Sequence, residues 1–452
     1  MDYNIHNIKP MKVVFMGTPE IAANSLRTII ELAKNNLIEL QCVYTKPETW
    51  NSKKNQYIKS PVNIISEKYN IPLRTPKTLK NNENEIDYLA DIKPDLIIVV
   101  AYGLLLPEKI LNIPLYGAIN LHPSILPDLR GPSPIHYAIL ENLKFTGISI
   151  MALDEGMDTG PIIAQMKIAV DKNEYFNELY SAVSKEGAHV LSDVVKTLSF
   201  IHAIDDNKLN KEYKKIFTYA SPQSSSVLYR KDYKQYLTIT DKIDSETKKI
   251  NFEIDMPDLI YSKIRTFSEY DNAYFIFEKK TIKIIKANLI IIKEQLKICG
   301  EINENIRKDN LETIKIKSKH NYCEFLNEDL NINQQTIYNK LSSELLPCKI
   351  NAALAKKNNC DNIFNQNGNS GCDKDNISLN ISSKEEKGCG SGSGLIYKPG
   401  TVVIADKSGL VVSTLEKGVY LELLELKPES KKSMNYVDFI NGTRITPGTI
   451  LQ

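Results

Sequence analysis

The sequence predicts an α/β fold: a Rossmann-like, open, mostly parallel sheet, then a small OB-like β-barrel domain carrying a long low-complexity insertion. Three observations lead there. Short apolar runs alternate with amphipathic stretches through the first two hundred residues, the pattern of successive βαβ crossovers. Further on, short β-patterned runs separated by Gly, Lys and Asp turns take over, as in a small barrel. Between those runs lies an Asn-rich stretch with few aromatics. At 452 residues the chain is also too long for one ordinary domain.

Taken in order, residues 1–10 read as an N-terminal extension, because Met11 opens the first strand pattern and is an alternative start. Lys12–Met16 (KVVFM) is a short apolar run ended by Gly17-Thr18-Pro19. Pro19 suits the first turn of a helix reaching about Lys34. Glu39–Thr45 is a second strand pattern, Lys46–Ser60 a polar stretch, and Pro61 the start of another helix. Asp95–Ala101 (DLIIVVA) is apolar without interruption, as expected of a strand covered on both faces. Gly117–Leu121 reads as a strand, Pro134–Leu140 as a helix, and Thr146–Leu153 as a strand with Ser149 inside. Phe176 to Leu198 is a long amphipathic helix. These elements make one domain over 11–203, with 204–241 a linker that includes an extra segment.

The barrel strands are expected at Tyr274–Phe277, Thr281–Ile285, Thr401–Ile404, Leu410–Ser413 and Val419–Leu426. They place the barrel domain at 242–294 and 395–452. Residues 301–380 contain 17 Asn, too polar a composition to bury much area. The segment 295–394 is therefore expected to be an insertion, largely disordered, helical at best over Gln334–Leu346. Its Gly/Ser exit ends at Gly394.

Composition removes several function classes. A formal charge of +2 excludes a polybasic, histone-like protein, though not a local nucleic-acid face. No apolar run approaches the ~20 residues of a membrane span, and no leader pattern precedes Met11, so no membrane contact is expected. The chain is expected to work in the cytoplasm as a monomer. Seven cysteines, without a CxxC pair, suggest reduced thiols rather than a disulfide framework or zinc site. No metal is expected.

Ligands of open α/β sheets lie outside the carboxyl ends of the strands. That rule points at the segments after Met16, Val100, Asn120 and Leu153. Asn120 and His122 alternate in AINLHPS, so both side chains leave the same face of one strand end. Asp158 sits in the turn-rich run LDEGMDTG after the next strand. Between them, PSILPDLRGP is an irregular loop stiffened by prolines. Singly each residue has an ordinary structural reading: an Asn in a turn, a hydrogen-bonded His, an Asp closing a DxG turn.

Together the motifs resemble the methionyl-tRNA formyltransferase family. They are FMGTP (Phe15–Pro19), VVAYGLLLP (Val99–Pro107), INLHPSILPDLRGPSPI (Ile119–Ile135) and MDTGPII (Met157–Ile163). TYA (Thr218–Ala220), KIDSETKKINF (Lys242–Phe252), IRTF (Ile264–Phe267), KPGTV (Lys398–Val402), KKSM and FINGTR (Phe439–Arg444) extend the likeness over about 11–294 and 395–452. The resemblance implies transfer of the formyl group of 10-formyltetrahydrofolate to the α-amino group of methionine on initiator methionyl-tRNA, in the bacterial cytoplasm, for translation initiation. Asn120 and a protonated or donating His122 would stabilise the oxyanion, and Asp158 would set the charge of His122 and help take the amine proton. Ser124, Ile125, Leu126 and Pro127 would line the folate pocket, with Tyr102, Gly103 and Leu104 against the pterin. Leu104–Leu106 is equally plain core, since a pterin slot is itself an apolar cleft.

The tRNA side departs from the family pattern. Lys46–Ser60 occupies the place of a basic loop but centres on Trp50-Asn51-Ser52-Lys53-Lys54 instead of an Arg/Gly-rich core. Lysine keeps charge without the bidentate fork of arginine. Lys53, Lys54 and Arg130 are the candidate phosphate contacts, and Trp50 could stack on an acceptor-end base or simply lie on the surface. The alternatives are another folate-dependent formyltransferase or hydrolase, or a catalytically decayed tRNA-binding protein.

Overall fold

The computed structural model describes residues 10–52, 54–203, 239–268, 271–291 and 397–452. Nearly all of the expected N-terminal extension, Lys53, most of the linker with its TYA motif, the Asn-rich insertion and six of the seven cysteines lie outside them. The chain divides into two compact units. One comprises Met1–Lys248 with Arg265–Asp271, the other Lys249–Ile264 with Asn272–Gln452.

The first unit is built on β1 (Met11–Gly17), α1 (Glu20–Lys34), β2 (Ile38–Tyr44), the short strands β3 (Thr49–Asn51) and β4 (Gln56–Ile58), and α2 (Pro61–Lys68). Then come β5 (Leu73–Arg74), α3 (Glu83–Ile92), β6 (Leu96–Val100), α4 (Glu108–Leu111), β7 (Ala118–His122) and α5 (Pro134–Leu140). It continues through β8 (Phe145–Ala152), β9 (Ile162–Ala169) and α6 (Phe176–Ala203), with a short α7 (Ser245–Lys248). The main sheet runs β5-β2-β1-β6-β7-β8-β9. Pairings from β5 to β7 are parallel, whereas β8 and β9 are antiparallel to their neighbours.

Strand periodicity divides the core between the two faces. Val13, Phe15, Leu96, Ile98, Val100, Ile119 and Leu121 join one apolar cluster with α1 and α6. Val14, Met16, Ile97, Val99 and Ala118 join the other, which includes Leu89 of α3 and Ile110 of α4. Asn120 and His122 have the parity of Ala118 and so leave this second face. Pro19 caps α1 from outside rather than entering its first turn. Ser60 caps α2 by accepting the Asn63 N–H at 3.0 Å, and Pro61 occupies the first helical turn.

Two further expectations are corrected here. Lys46–Ser60 is not a plain polar loop: β3 and β4 pair as a hairpin with Trp50 opposite Tyr57. The carboxyl-end rule does not hold after Leu153, because β8 is antiparallel to β7 and ends with Ala152 opposite Ile119. That places the strand's exit at the amino end of β7, and the chain must turn back to bring Asp158 to the site.

The second unit contains most of α8 (Pro257–Thr266), then β10 (Tyr274–Phe277), β11 (Lys280–Ile291), β12 (Val402–Asp406), β13 (Gly409–Ser413), β14 (Val419–Pro428), β15 (Met434–Asn435) and α9 (Tyr436–Thr443). Its antiparallel sheet runs β10-β11-β14-β13-β12, with β15 on β14. The chain end closes it towards a barrel. Val402 N–H donates to Thr449 O at 2.7 Å on the β12 edge, and Ile276 N–H to Gln452 O at 2.6 Å on the β10 edge. The strands flanking the Asn-rich segment are not a hairpin, since β14 and β13 lie between β11 and β12. Among the described residues no helix is long and apolar enough to cross a membrane.

Candidate active site

At the carboxyl edge of the parallel strands, β1 lies between β2 and β6, where the crossovers change direction. Such a switch point opens a crevice. Gly17 closes the floor: a Cβ there would stand 2.6 Å from Ala22 Cβ and 2.9 Å from Val100 O, so any larger residue would push helix α1 off the sheet. The Thr18 hydroxyl donates to Tyr102 O at 2.9 Å, tying the FMGTP turn to the segment after β6.

One strand over, β7 ends in the polar pair. Asn120 is half-buried, and its amide makes no hydrogen bond among the described residues. His122 is buried. Its Nε2–H donates to Leu129 O at 3.0 Å, because a carbonyl can only accept. Nδ1 then faces Asp158 Oδ2 at 3.6 Å. Burial holds the imidazole below its ordinary pKa and Arg130 pushes the same way, while Asp158 and the Leu129 carbonyl oppose them. At neutral pH the ring is therefore neutral, poised to gain a proton beside a carboxylate.

Asp158 is placed from the other side. Its Oδ2 accepts the Gly131 N–H at 2.9 Å. Ala101, Leu129 and Asp158 all have left-handed backbones, with φ of 46°, 57° and 52°. For a branched side chain such as Leu129 this conformation is costly and persists only where surrounding contacts over-determine it.

Those contacts centre on Ser149, fully buried and opposite His122 in the register. Its hydroxyl donates to Ser124 O at 2.8 Å and accepts Leu126 N–H at 3.0 Å and Gln165 Nε2–H at 2.9 Å. Gln165 Nε2–H also donates to Leu126 O at 2.9 Å. The Ser124 hydroxyl donates to Asp128 O at 2.6 Å. The loop is thus pinned by side chains of β8 and β9 that no motif indicated. Ser149 carried one readable signal, a hydroxyl inside an apolar strand; Gln165 carried none.

The structure brings Asn120, His122, Asp158, Arg130 and Ser124–Pro127 to one edge. Ser124, Ile125 and Leu126 are buried there and Pro127 is half-buried. The Tyr102 ring is turned into the core under β6, and its hydroxyl has no hydrogen-bond partner among the described residues. Gly103 lies against the Lys46 ammonium. Leu104 is half-buried, and Leu105 beside it is 80% exposed, an open apolar surface. Trp50 is 53% exposed and meets Tyr57 edge-on at 5.1 Å between ring centroids. Lys54 is exposed, whereas Lys53 lies outside the described residues. Among the described residues no His, Cys, Asp and Glu group is arranged to hold a metal.

Comparison with known proteins shows what the chain is similar to. A family model described as formyl transferase matches residues 11–195. A second, described as formyl transferase, C-terminal domain, matches 242–324 and 374–444. The methionyl-tRNA formyltransferase of Wolbachia pipientis subsp. Culex pipiens is 35% identical over 277 residues, 61% of this chain and 81% of that one. That of Prochlorococcus marinus subsp. pastoris is 35% identical over 303 residues, 67% of this chain and 84% of its own. A solved phosphoribosylglycinamide formyltransferase from Bacillus halodurans aligns at 22% identity and TM-score 0.36, over 41% of this chain and 94% of that one. With both domain models present and relatives matched over most of their length, the chain belongs to the methionyl-tRNA formyltransferase family.

Proposed function

We propose that this protein transfers the formyl group of 10-formyltetrahydrofolate to the α-amine of methionine carried by initiator tRNA. The observation that carries the reading is the β7 edge: an unengaged Asn120 amide two residues from a buried, neutral His122 that faces Asp158. The folate supplies an activated formyl carbon on N10. Exposed Leu105 and half-buried Leu104 suit an apolar ring system at the same edge, and the pinned 124–127 loop gives it a rigid wall.

The chemistry follows from what each group has free. The neutral amine attacks the formyl carbon, and negative charge develops on the former carbonyl oxygen. The Asn120 amide N–H groups can donate to that oxygen at no reorganisation cost. The oxyanion then collapses, the formyl carbon–N10 bond breaks and tetrahydrofolate leaves; over the step the amine loses a proton and N10 gains one. His122 carries it on Nδ1, its only nitrogen with a lone pair, and Asp158 stabilises the imidazolium so formed. With Nε2–H held by Leu129 O, His122 acts in proton transfer rather than as a resting cation.

On the tRNA side, the β3–β4 hairpin presents Trp50 and Tyr57 as an exposed aromatic pair beside Lys54, a surface suited to stacking and phosphate contact. Arg130 lies on the same loop and its charge acts on His122, so we assign it a tRNA phosphate contact at this edge. We take the working form to be a monomer in the bacterial cytoplasm. The test is in vitro formylation of methionine charged on initiator and elongator tRNAs with 10-formyltetrahydrofolate. A glycinamide ribonucleotide and an amino sugar serve as rival acceptors. Preferential formylation of the initiator tRNA supports the reading; formylation of a rival acceptor alone overturns it.

A further inference from the structure

We propose that Thr240 is a positioning residue of the active site, acting on the His122–Asp158 pair through the peptide between Arg130 and Gly131. The inference rests on the proton-transfer role given above to that pair. After Ile239, which is 69% exposed, the chain dips into the protein and Thr240 is only 2% exposed. Ile239 pairs with Arg130 in a parallel bridge. The Thr240 N–H donates to Arg130 O at 2.6 Å, and its hydroxyl donates to the same oxygen at 3.0 Å. That hydroxyl also accepts the Ser133 N–H at 3.3 Å.

A peptide group is planar, so the Arg130 carbonyl and the Gly131 N–H turn as one rigid unit. Thr240 grips its oxygen end. The N–H end donates to Asp158 Oδ2 at 2.9 Å, the same oxygen that faces His122 Nδ1 at 3.6 Å. Orientation therefore passes from Thr240 across one peptide to the carboxylate that sets the charge of His122. Gly131 makes the approach feasible: its φ is 109°, and a Cβ there would stand 2.5 Å from Thr240 O and 2.8 Å from Thr240 Oγ1. The charged groups acting on His122 are Asp158 and Arg130, with the Leu129 carbonyl on its second nitrogen.

The discriminating pair is Thr240→Val, which keeps the shape and backbone N–H but loses the hydroxyl, and Thr240→Ser, which keeps the hydroxyl. With Thr240→Val, kcat should fall about tenfold, the scale of one lost hydrogen bond expressed in the transition state. KM for folate and tRNA should stay within about twofold, and the acid limb of the pH–rate profile should move to lower pH as Asp158 loosens from His122. Thr240→Ser should retain the wild-type rate and profile. Wild-type behaviour in Thr240→Val, or equal loss in both variants, would reduce Thr240 to packing and overturn the proposal. If Thr240→Val does not fold, Thr240→Ala carries the same contrast with serine. Wild type and Asp158→Asn run in the same assay separate the two ideas. No methionyl-tRNA formylation by wild type defeats the function; formylation that needs Asp158 but ignores Thr240→Val defeats only this inference.

Discussion

The 122–131 loop and the 49–58 hairpin lie near the carboxyl ends of β7 and β2, yet they are held in different ways. The first is over-determined. Ser149, Gln165, His122, Asp158 and Thr240 all bond to its backbone, and it carries Leu129 in a left-handed conformation. The second has two three-residue strands and one edge-on aromatic pair, with Trp50 and Tyr57 more than half exposed. Chemistry that stabilises charge needs fixed dipoles, whereas a surface for a large polyanion can adapt on contact. The contrast teaches where each kind of mutation should act.

The largest effect is expected on the pinned edge. Asn120→Ala should lower kcat by about 10²–10³, as loss of an oxyanion donor does, with little change in folate affinity. Asp158→Ala should be of similar size. Single-turnover formylation checks both, and an Asp158→Ala enzyme within threefold of wild type would sink the assignment.

The next effect concerns stability against pH. His136, on α5 just past the loop, stacks on Phe176 at 4.2 Å and is lowered by burial, and secondarily by Lys248, to about 4. Above its unfolded pKa of about 6.5 the ring is neutral in both states and the fold keeps its full stability. As pH falls through 6.5 towards 4 the unfolded chain binds a proton that the folded state refuses, so stability drops, by about 2–3 kcal/mol. Urea unfolding at pH 7 and pH 4.5 should show a smaller loss in His136→Gln than in wild type. Equal losses would mean that the buried ring is not the cause.

Ser149→Ala comes third, costing about 1–3 kcal/mol by leaving the Leu126 N–H and the Gln165 amide short of a buried partner. Loosening the loop should raise KM for folate several-fold, with Ser149→Thr close to wild type. Unchanged folate KM in a destabilised Ser149→Ala would make the hub purely structural. The smallest effects belong to the hairpin. Lys53→Ala, Lys54→Ala and Trp50→Ala should each raise KM for tRNA a few-fold, with kcat and folate KM unchanged. Each lysine change should reduce the salt slope by about one. A hairpin that proves as sensitive in kcat as Asn120 would break the comparison.

The half of this contrast that we propose to be catalytic was partly legible in the chain. AINLHPS alternates so that Asn120 and His122 must share a face of the strand, and the apolar run DLIIVVA required a sheet covered on both sides. What periodicity cannot encode is which way a strand runs. The antiparallel turn of β8 invalidated the carboxyl-end rule for Leu153, and Asp158 reaches His122 by a left-handed turn instead. The hairpin was missed because two strands of three residues are too short for a period to show.

Although β5, α3, α4 and β9 were not read from it, the sequence by itself determined β1, α1, β2, α2, β6, β7, α5, β8 and α6 in their order, the polar pair at the end of β7, and the family likeness. These are local properties: periods of 2 and 3.6, turn residues, and short motifs read within a few positions. The tertiary structure alone decided the burial of His122, which holds its pKa below the ordinary value, and the convergence of Ser149, Gln165 and Thr240 on one loop. Thr240 meets Arg130 from 110 positions away and Gln165 meets Leu126 from 39. Pairings over such separations depend on how the sheet closes and on which backbone groups it leaves for a distant side chain to satisfy.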